Sequence, residues 1–341
     1  MSGTVHEFAR DRRGAVGAPG GDAMPEVAPA AQVGVIYNPR SHRNRGRDLL
    51  SDMAPHIHLA QPGKKAQLPA ALERFKDRGI ELLVVNGGDG TVRDVLTAGH
   101  DIFGDDWPVV AILPKGKTNA LAVDLEAPGD WSLQGAIDAF RNGRRIRRRP
   151  ILIAPQDDFA QPMMGFILGA GAFTTGIAAG QDAHRFGAFN SLAVAVTTLW
   201  GVIQSLLGTD RNPWRRGVEM ELLLGESGAP MEHSGQGDPG RRQILIASTL
   251  ERFPAGLKPF GSLKKGLKLA VMDRPVRHIL LLLPLILAGW SPSMLRRKGL
   301  HQVSVPWFDL SLGDRFIVDG EAYPAGRYRI EQGPELEFVA P

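Results

Sequence analysis

The chain has 341 residues, 43% apolar and 22% charged, a balance typical of folded globular proteins at a length that points to two cores rather than one. Lys and Arg number 40 against 36 Asp and Glu, a formal net charge of +4 whose basic members are unevenly spread. Cysteine is absent, which excludes disulfides, thiolate catalysis and Cys-based zinc sites and fits a reducing cytoplasm.

Residues 1–31 are rich in Gly, Ala and Pro and hold no apolar core, so they read as a disordered tail rather than a secretory leader, with Met24 an alternative start. Residues 33–37 form a short apolar run ended by Asn38-Pro39, the pattern of a buried strand stopped by a turn. Helical spacing over 68–76 ends at Gly79, and 81–85 is a second buried strand running into Asn86-Gly87-Gly88-Asp89-Gly90-Thr91. A helix is expected to start at Thr91. A third strand, 109–113, is broken by Pro114, and another helix is expected over 119–123. Strands alternating with helices imply a parallel sheet, whose ligands bind at the carboxyl ends of the strands.

Arg141, Arg144, Arg145, Arg147, Arg148 and Arg149 follow closely on one another. Such a run is either a solvated face or a contact for anionic headgroups or phosphates. It lacks the interleaved aromatics and fold signature of a nucleic-acid module, so no nucleic-acid partner is expected. Beyond Arg149 the pattern changes to short strands at 151–154, 165–168, 218–224, 243–248, 266–271, 302–305, 315–318 and 327–330, the spacing of a β-sandwich. Residues 226–242 read as an exposed polar loop.

Two longer apolar segments, 191–207 and 279–295, interrupt this series. Within the second, residues 279–290 are broken by Pro284 and flanked by Arg274, Arg277 and His278 before and Arg296, Arg297 and Lys298 after. That is short of the ~20 apolar residues a bilayer crossing needs, and fits either a buried core helix or an element lying in a membrane interface. The expected organisation is a tail at 1–31, an α/β nucleotide-binding domain at 32–149 and a β-rich domain at 150–341.

The sharpest chemical signal is Gly87-Gly88-Asp89-Gly90-Thr91 directly after a buried strand. Glycines let backbone N–H groups approach phosphate oxygens, and the following helix adds its positive end. Asp89 supplies a carboxylate for Mg²⁺, and Thr91 caps the helix or bonds a phosphate. One βα unit later comes Leu113-Pro114-Lys115-Gly116-Lys117-Thr118-Asn119, in which Lys117 presents a cation and Asn119 holds the loop or touches the nucleotide. Asn38-Pro39-Arg40-Ser41 lies on the same edge, and Asp319-Gly320-Glu321 alone would be an ordinary hairpin turn.

In this order the four motifs resemble the diacylglycerol kinase and sphingosine kinase family of lipid kinases. The resemblance implies ATP and Mg²⁺ bound by the α/β domain and a lipid held by the β domain. It implies Asn38, Arg40, Ser41, Gly87, Gly88, Asp89, Gly90, Thr91, Gly116, Lys117, Thr118, Asn119 and Asp319 around the nucleotide. Glu321 is implied as general base with Asp89 and Asp319 facing the metal; Asp89 as base is the alternative. The absence of cysteine, the apolar segment at 279–290 and the arginine run at 141–149 together lead to the expectation of a cytoplasmic enzyme touching an anionic membrane surface.

The chain departs from soluble bacterial diacylglycerol kinases at Lys117 and Ala120, and Asn119-Ala120-Leu121-Ala122 looks more like the sphingosine branch. Lys264 and Lys265 stand where those enzymes carry acid for a structural Mg²⁺, so that site is expected to be absent. An acid facing a substrate amine is not found around 171–187. Ceramide is therefore the expected acceptor, with diacylglycerol or a sphingoid base as alternatives. An NAD kinase shares only the first loop, and a silent lipid- or nucleotide-binding regulator is the non-enzymatic rival.

Overall fold

The computed structural model describes residues 30–44, 54–157, 161–174, 217–274, 279 and 281–341. The expected apolar segment at 191–207 and nearly all of the expected tail lie outside them. The chain begins with β1 (Val33–Tyr37), β2 (Ile57–Ala60), α1 (Leu68–Asp77), β3 (Leu82–Gly87), α2 (Asp89–Phe103), β4 (Val109–Pro114), α3 (Ala120–Asp124), α4 (Leu133–Asn142) and β5 (Arg144–Arg148).

β2, β1, β3 and β4 pair in parallel in that order. They do so because β1 and β3 are buried along their whole length and need cover on both faces. Ile36, Leu83, Val85 and Ile112 pack under α1 and α2, which contribute Leu72, Phe75, Val95 and Leu96. On the opposite face Val33, Val35, Leu82, Val84 and Ala111 meet Trp131, Ala136 and Ile137 around α4. The alternation of the two sets along each strand is the two-residue period of a sheet buried on both sides.

A sandwich of two antiparallel sheets follows. Its strands are β6 (Ile151–Pro155), β7 (Met163–Gly165), β8 (Ile167–Gly171), β9 (Val218–Leu224), β10 (Ala229–Pro230), β11 (Arg241–Arg242), β12 (Ile244–Ser248) and β13 (Leu267–Met272). Two short helices, α5 (Leu283–Leu287) and α6 (Met294–Arg297), precede β14 (Leu300–Val305), β15 (Trp307–Leu312), β16 (Phe316–Val318), β17 (Glu321–Tyr323), β18 (Gly326–Gln332) and β19 (Leu336–Ala340). One sheet runs β10-β9-β15-β18-β6-β7 with β11 on β9, the other β14-β13-β12-β8-β16-β17. Between them Ile153, Leu168, Leu222, Leu245, Leu269, Phe308, Phe316 and Ile330 form the second core.

Three features differ from the sequence reading. First, β19 returns to the α/β part and lies between β4 and β5, so that sheet is not built from 32–149 alone. Second, Arg144–Arg148 of the arginine run form β5, an edge strand antiparallel to β19, while Arg141 lies in the last turn of α4 and Arg149 just beyond β5. Arg147 meets Glu335 and Glu337, Arg144 meets Glu126, and Arg149 meets Glu335. Third, the apolar stretch 279–295 is not one continuous element: residues 279 and 281, Leu283–Leu287 and the start of α6 are helical, with Pro284 in the first turn of α5.

The α/β layer and the sandwich share packing: Met164, Phe166 and Leu250 join the core under α1 and α2. They are also fastened by Asp124, fully buried at the end of α3. Its carboxylate accepts from Arg148 Nε at 2.6 Å and from the main-chain N–H groups of Glu251 and Arg252 at 2.8 and 2.7 Å. Asp124→Ala leaves two amides without their acceptor and a largely buried guanidinium with Glu251, 3.4 Å away, as its remaining acid. The expected loss is about 3–5 kcal/mol of unfolding free energy, read from urea denaturation. A loss below about 1 kcal/mol would mean that solvent replaces the carboxylate and the clamp is incidental.

Candidate active site

The four motifs meet at the carboxyl edge of the first sheet. β1 and β3 end side by side, and Asn38 N donates to Asn86 O at 3.0 Å. Asn44 then ties the two ends together, its Nδ2 donating to Asn38 O at 2.9 Å and Asn86 Oδ1 at 2.8 Å. Asn38 Nδ2 reaches Thr91 Oγ1 at 2.8 Å. Thr91 is thus occupied in joining two loops, and α2 starts two residues before it, at Asp89, with Gly88 in extended geometry as its cap.

The glycine and proline loops lie against one another. A Cβ on Gly88 would stand 2.8 Å from Gly116 Cα, and one on Gly116 2.7 Å from Gly88 Cα, so neither position accepts a side chain. Asn119 adopts a left-handed conformation (φ 51°) and folds the second loop on itself: Gly116 N donates to its Oδ1 at 2.8 Å and its Nδ2 donates to Gly116 O at 3.0 Å. Lys117 and Thr118 are exposed at the tip of that loop, and Ser41 is buried in the turn after β1, its N–H donating to Asn38 O at 3.2 Å.

Asp89 lies between the two loops. Leu121 N, in the first turn of α3, donates to its Oδ1 at 3.4 Å. Burial raises its pKa, opposed by the amides of Ala120, Leu121 and Asn119. Asp319 stands close enough for the two charges to be felt. Burial and then the Asp89 carboxylate push Asp319 up to about 7, against the N–H groups of Phe166 and Ile167, each 2.9 Å from one of its oxygens. Asp319 also has positive φ (43°), which turns the chain back at β17.

Arg93 brings Glu321 to this edge. It is almost wholly buried on α2, one turn beyond Asp89, and its Nη1 donates to Val318 O at 3.0 Å. Its Nη2 contacts Asp94 at 2.7 Å and pairs with Glu321 Oε2. Lys65 pairs with the same Glu321 oxygen and lies 3.2 Å from Asp94. Burial works to raise the pKa of Glu321, but Lys65 and Arg93 outweigh it and hold the carboxyl below its ordinary value. Beside them is a cavity of about 320 Å³ whose lining includes Asn38, Arg40, Gly63, Lys65, Thr91 and Asp94. Arg40 is braced there, its Nη2 donating to Gly63 O at 2.7 Å.

The predicted site residues therefore sit on the loops, the end of β3, the first turn of α2 and the turn into β17 at this one edge. Sequence reasoning missed Lys65, Arg93, Asp94 and Asn44. Arg93 carried one usable signal, its place four residues after Asp89 on the same helical face. Lys65 lies in no motif.

Residues 32–150 match the profile of the diacylglycerol kinase catalytic domain. The resemblance to that family of lipid kinases thus rests on more than the four short motifs. Relatives named "Probable lipid kinase YegS" from Escherichia coli O17:K52:H18 (strain UMN026 / ExPEC) and Shigella flexneri are each 32% identical over 80 residues, 24% of this chain. The aligned stretch spans about a quarter, 27%, of the length of those relatives. The fold is also shared with a crystal structure described as a diacylglycerol kinase from Bacillus anthracis str. Sterne, with TM-score 0.58 and 13% identity over 91% of this chain and 97% of that one. A further crystal structure from the same organism gives TM-score 0.63 at 14% identity over the same shares. The fold class is accordingly an α/β parallel-sheet domain joined to a mainly β, sandwich-like domain.

Proposed function

We propose that this chain is an ATP-dependent lipid kinase that transfers the γ-phosphoryl group to a hydroxyl of ceramide. The observation that supports it is the position of Asp319-Gly320-Glu321. More than two hundred residues from Asp89 in sequence, this turn is held against the first turns of α2 by Arg93, beside the cavity and both glycine loops.

In this reading the cavity takes the nucleotide, and the N–H groups of the two loops cradle its phosphates. Lys117, at an exposed loop tip, supplies a cation to the phosphate tail. Two acids whose charges raise one another's cost suit a divalent cation, and Mg²⁺ is commonly held by one or two carboxylates plus substrate phosphates. Asp89 and Asp319 would hold it, and when bound it neutralises charge on the transferring group.

Arg93 and Lys65 both engage Oε2 of Glu321, which leaves Oε1 for the substrate. As the lipid oxygen bonds to the γ-phosphorus, the bond to the β–γ bridging oxygen breaks and ADP leaves. Glu321 takes the hydroxyl proton. A carboxylate held ionised by two cations is a weak base, but a loose phosphoryl-transfer transition state requires positioning more than basicity.

Ceramide is preferred on the run Asn119-Ala120-Leu121-Ala122 and on the lysines at 264 and 265, whereas the descriptions of the similar proteins favour diacylglycerol. An amide-linked acceptor needs only hydrogen bonds, while a free sphingoid amine would enter as a cation and need a counter-charge. The test is transfer from γ-labelled ATP to ceramide, diacylglycerol and sphingosine in matched mixed micelles. The highest kcat/KM is expected for ceramide. A preference for diacylglycerol changes the acceptor and keeps the kinase, and no labelled lipid from any acceptor overturns the reading.

A further inference from the structure

Charge is segregated along this chain in a way the net value hides. From Phe253 to Leu300 there are nine Lys and Arg and one acid, Asp273. That stretch carries a net +8 in a chain of net +4, so the remainder is net negative. Asp273 is fully buried, held by Arg242 and His301, and adds no negative charge to the surface.

The same stretch exposes apolar side chains that a folded core would hide. Leu281, Leu285, Trp290 and Leu257 are 67%, 54%, 41% and 44% exposed. The inner side of the segment is satisfied: Ile279, Ile286, Leu295, Met272 and Leu300 pack together. The outer side is a second apolar face with no partner among the described residues. It is held rigidly. Lys258 N donates to Leu287 O at 2.7 Å, Trp290 N to Leu285 O at 3.0 Å, and Gln302 Nε2 to Pro259 O at 2.7 Å. Gly289 (φ 104°) lies so close to Lys258 that a Cβ there would stand 2.8 Å from its Cδ. Two separate loops are thereby joined into one surface at the β14 edge of the second sheet.

We infer that this face docks the protein on an anionic bilayer, with Leu281, Leu285, Trp290 and Leu257 entering the headgroup region and exposed Lys258, Arg296 and Arg297 meeting lipid phosphates. Apolar side chains rimmed by cations are the composition of an interfacial element, and each cation near an anionic surface strengthens binding. The segment also departs from the Asp124 clamp: Glu251 and Arg252, whose amides bind that carboxylate, immediately precede it. A docked surface is therefore tied through α3 to the loop that begins at Gly116. Of the arginines of β5, Arg144, Arg147 and Arg148 face acids at 3.3, 2.9 and 2.6 Å, and Arg145 donates to the carbonyls of Ala139 and Phe140. Among the described residues Arg296 faces only the exposed Glu232, at 3.8 Å, so β5 is not needed for docking. The choice of a membrane as partner rests on the lipid-kinase reading; the surface itself does not.

The test is vesicle flotation of the full chain with phosphatidylcholine alone and with phosphatidylglycerol added. It compares wild type with a Leu281→Ser/Leu285→Ser/Trp290→Ser variant and a Lys258→Ser/Arg296→Ser/Arg297→Ser variant. Turnover on a short-chain acceptor below its micelle concentration and elution volume are measured alongside. Wild type is expected to float with anionic vesicles. The apolar variant should lose at least about tenfold in binding to both vesicle types and the basic variant only its preference for anionic ones, with short-chain turnover unchanged. Flotation of the apolar variant like wild type, or no flotation of wild type, overturns the inference. So does a wild-type dimer that the apolar variant converts to monomer, since the face then covers a second copy. Flotation lost on substitution in a protein that phosphorylates no lipid keeps the surface and rejects the kinase reading.

Discussion

Asp89→Asn is expected to lower kcat at least about a hundredfold while the chain stays folded. The substitution keeps the shape of the side chain and an oxygen to accept from Leu121 N, so α3 retains its anchor. What disappears is the negative charge between the two glycine loops. Two effects follow from the neighbourhood of Asp319. The pair proposed to hold the metal loses one carboxylate, and Asp319 loses the second-largest influence holding its pKa up, so it ionises at lower pH. Activity measured across pH separates them. If Asp89 acts through the metal, raising Mg²⁺ recovers part of the loss. Near-normal turnover by a folded variant would sink the assignment of this loop to phosphate and metal.

Glu321→Gln is expected to abolish transfer, by roughly 10²- to 10⁴-fold, with nucleotide affinity little changed. Gln retains an oxygen for Arg93 and Lys65 but accepts no proton at the substrate side. The stability change should be small, because the Lys65–Glu321 pair is substantially exposed and contributes about 0–1 kcal/mol, and the buried Arg93 keeps Asp94 and Val318 O as acceptors. Loss of ATP binding together with turnover would make Glu321 an organiser of the nucleotide, and the proton would then fall to Asp89. Arg93→Met provides a second view, since it frees Glu321 from its buried partner while leaving the carboxylate intact. A shift in the acid limb of the rate profile toward higher pH is expected, because removing that cation raises the Glu321 pKa.

Much of this was written locally in the chain. β1 and β4 were legible because apolar runs end at Asn38-Pro39 and Pro114, which stop a strand for steric reasons. The start of α2 was misjudged by two residues because Thr91 looks like a cap, whereas its hydroxyl is taken by Asn38 and the cap is Gly88. β5 was missed since four of its five residues are arginines, three of them exposed, and no local rule reveals that Glu335 and Glu337 await Arg147. The convergence of Asp319-Gly320-Glu321 on α2 is a long-range contact made by Arg93, and a charged residue on a helix ordinarily reads as solvated. Family resemblance supplied the association that periodicity could not.

The placement of β19 between β4 and β5 has a consequence for biosynthesis. On a ribosome adding ~5–20 residues per second, β4 and β5 emerge roughly ten to forty seconds before Leu336–Ala340. Throughout that interval β4 presents an unpaired apolar edge, the kind of template on which nascent chains aggregate. Phe338, fully buried in the finished protein, has not yet been made. The α/β part therefore completes its sheet only after the sandwich has been translated, and a chain that stalls before Leu336 carries every glycine-loop motif on a sheet that lacks the strand between β4 and β5.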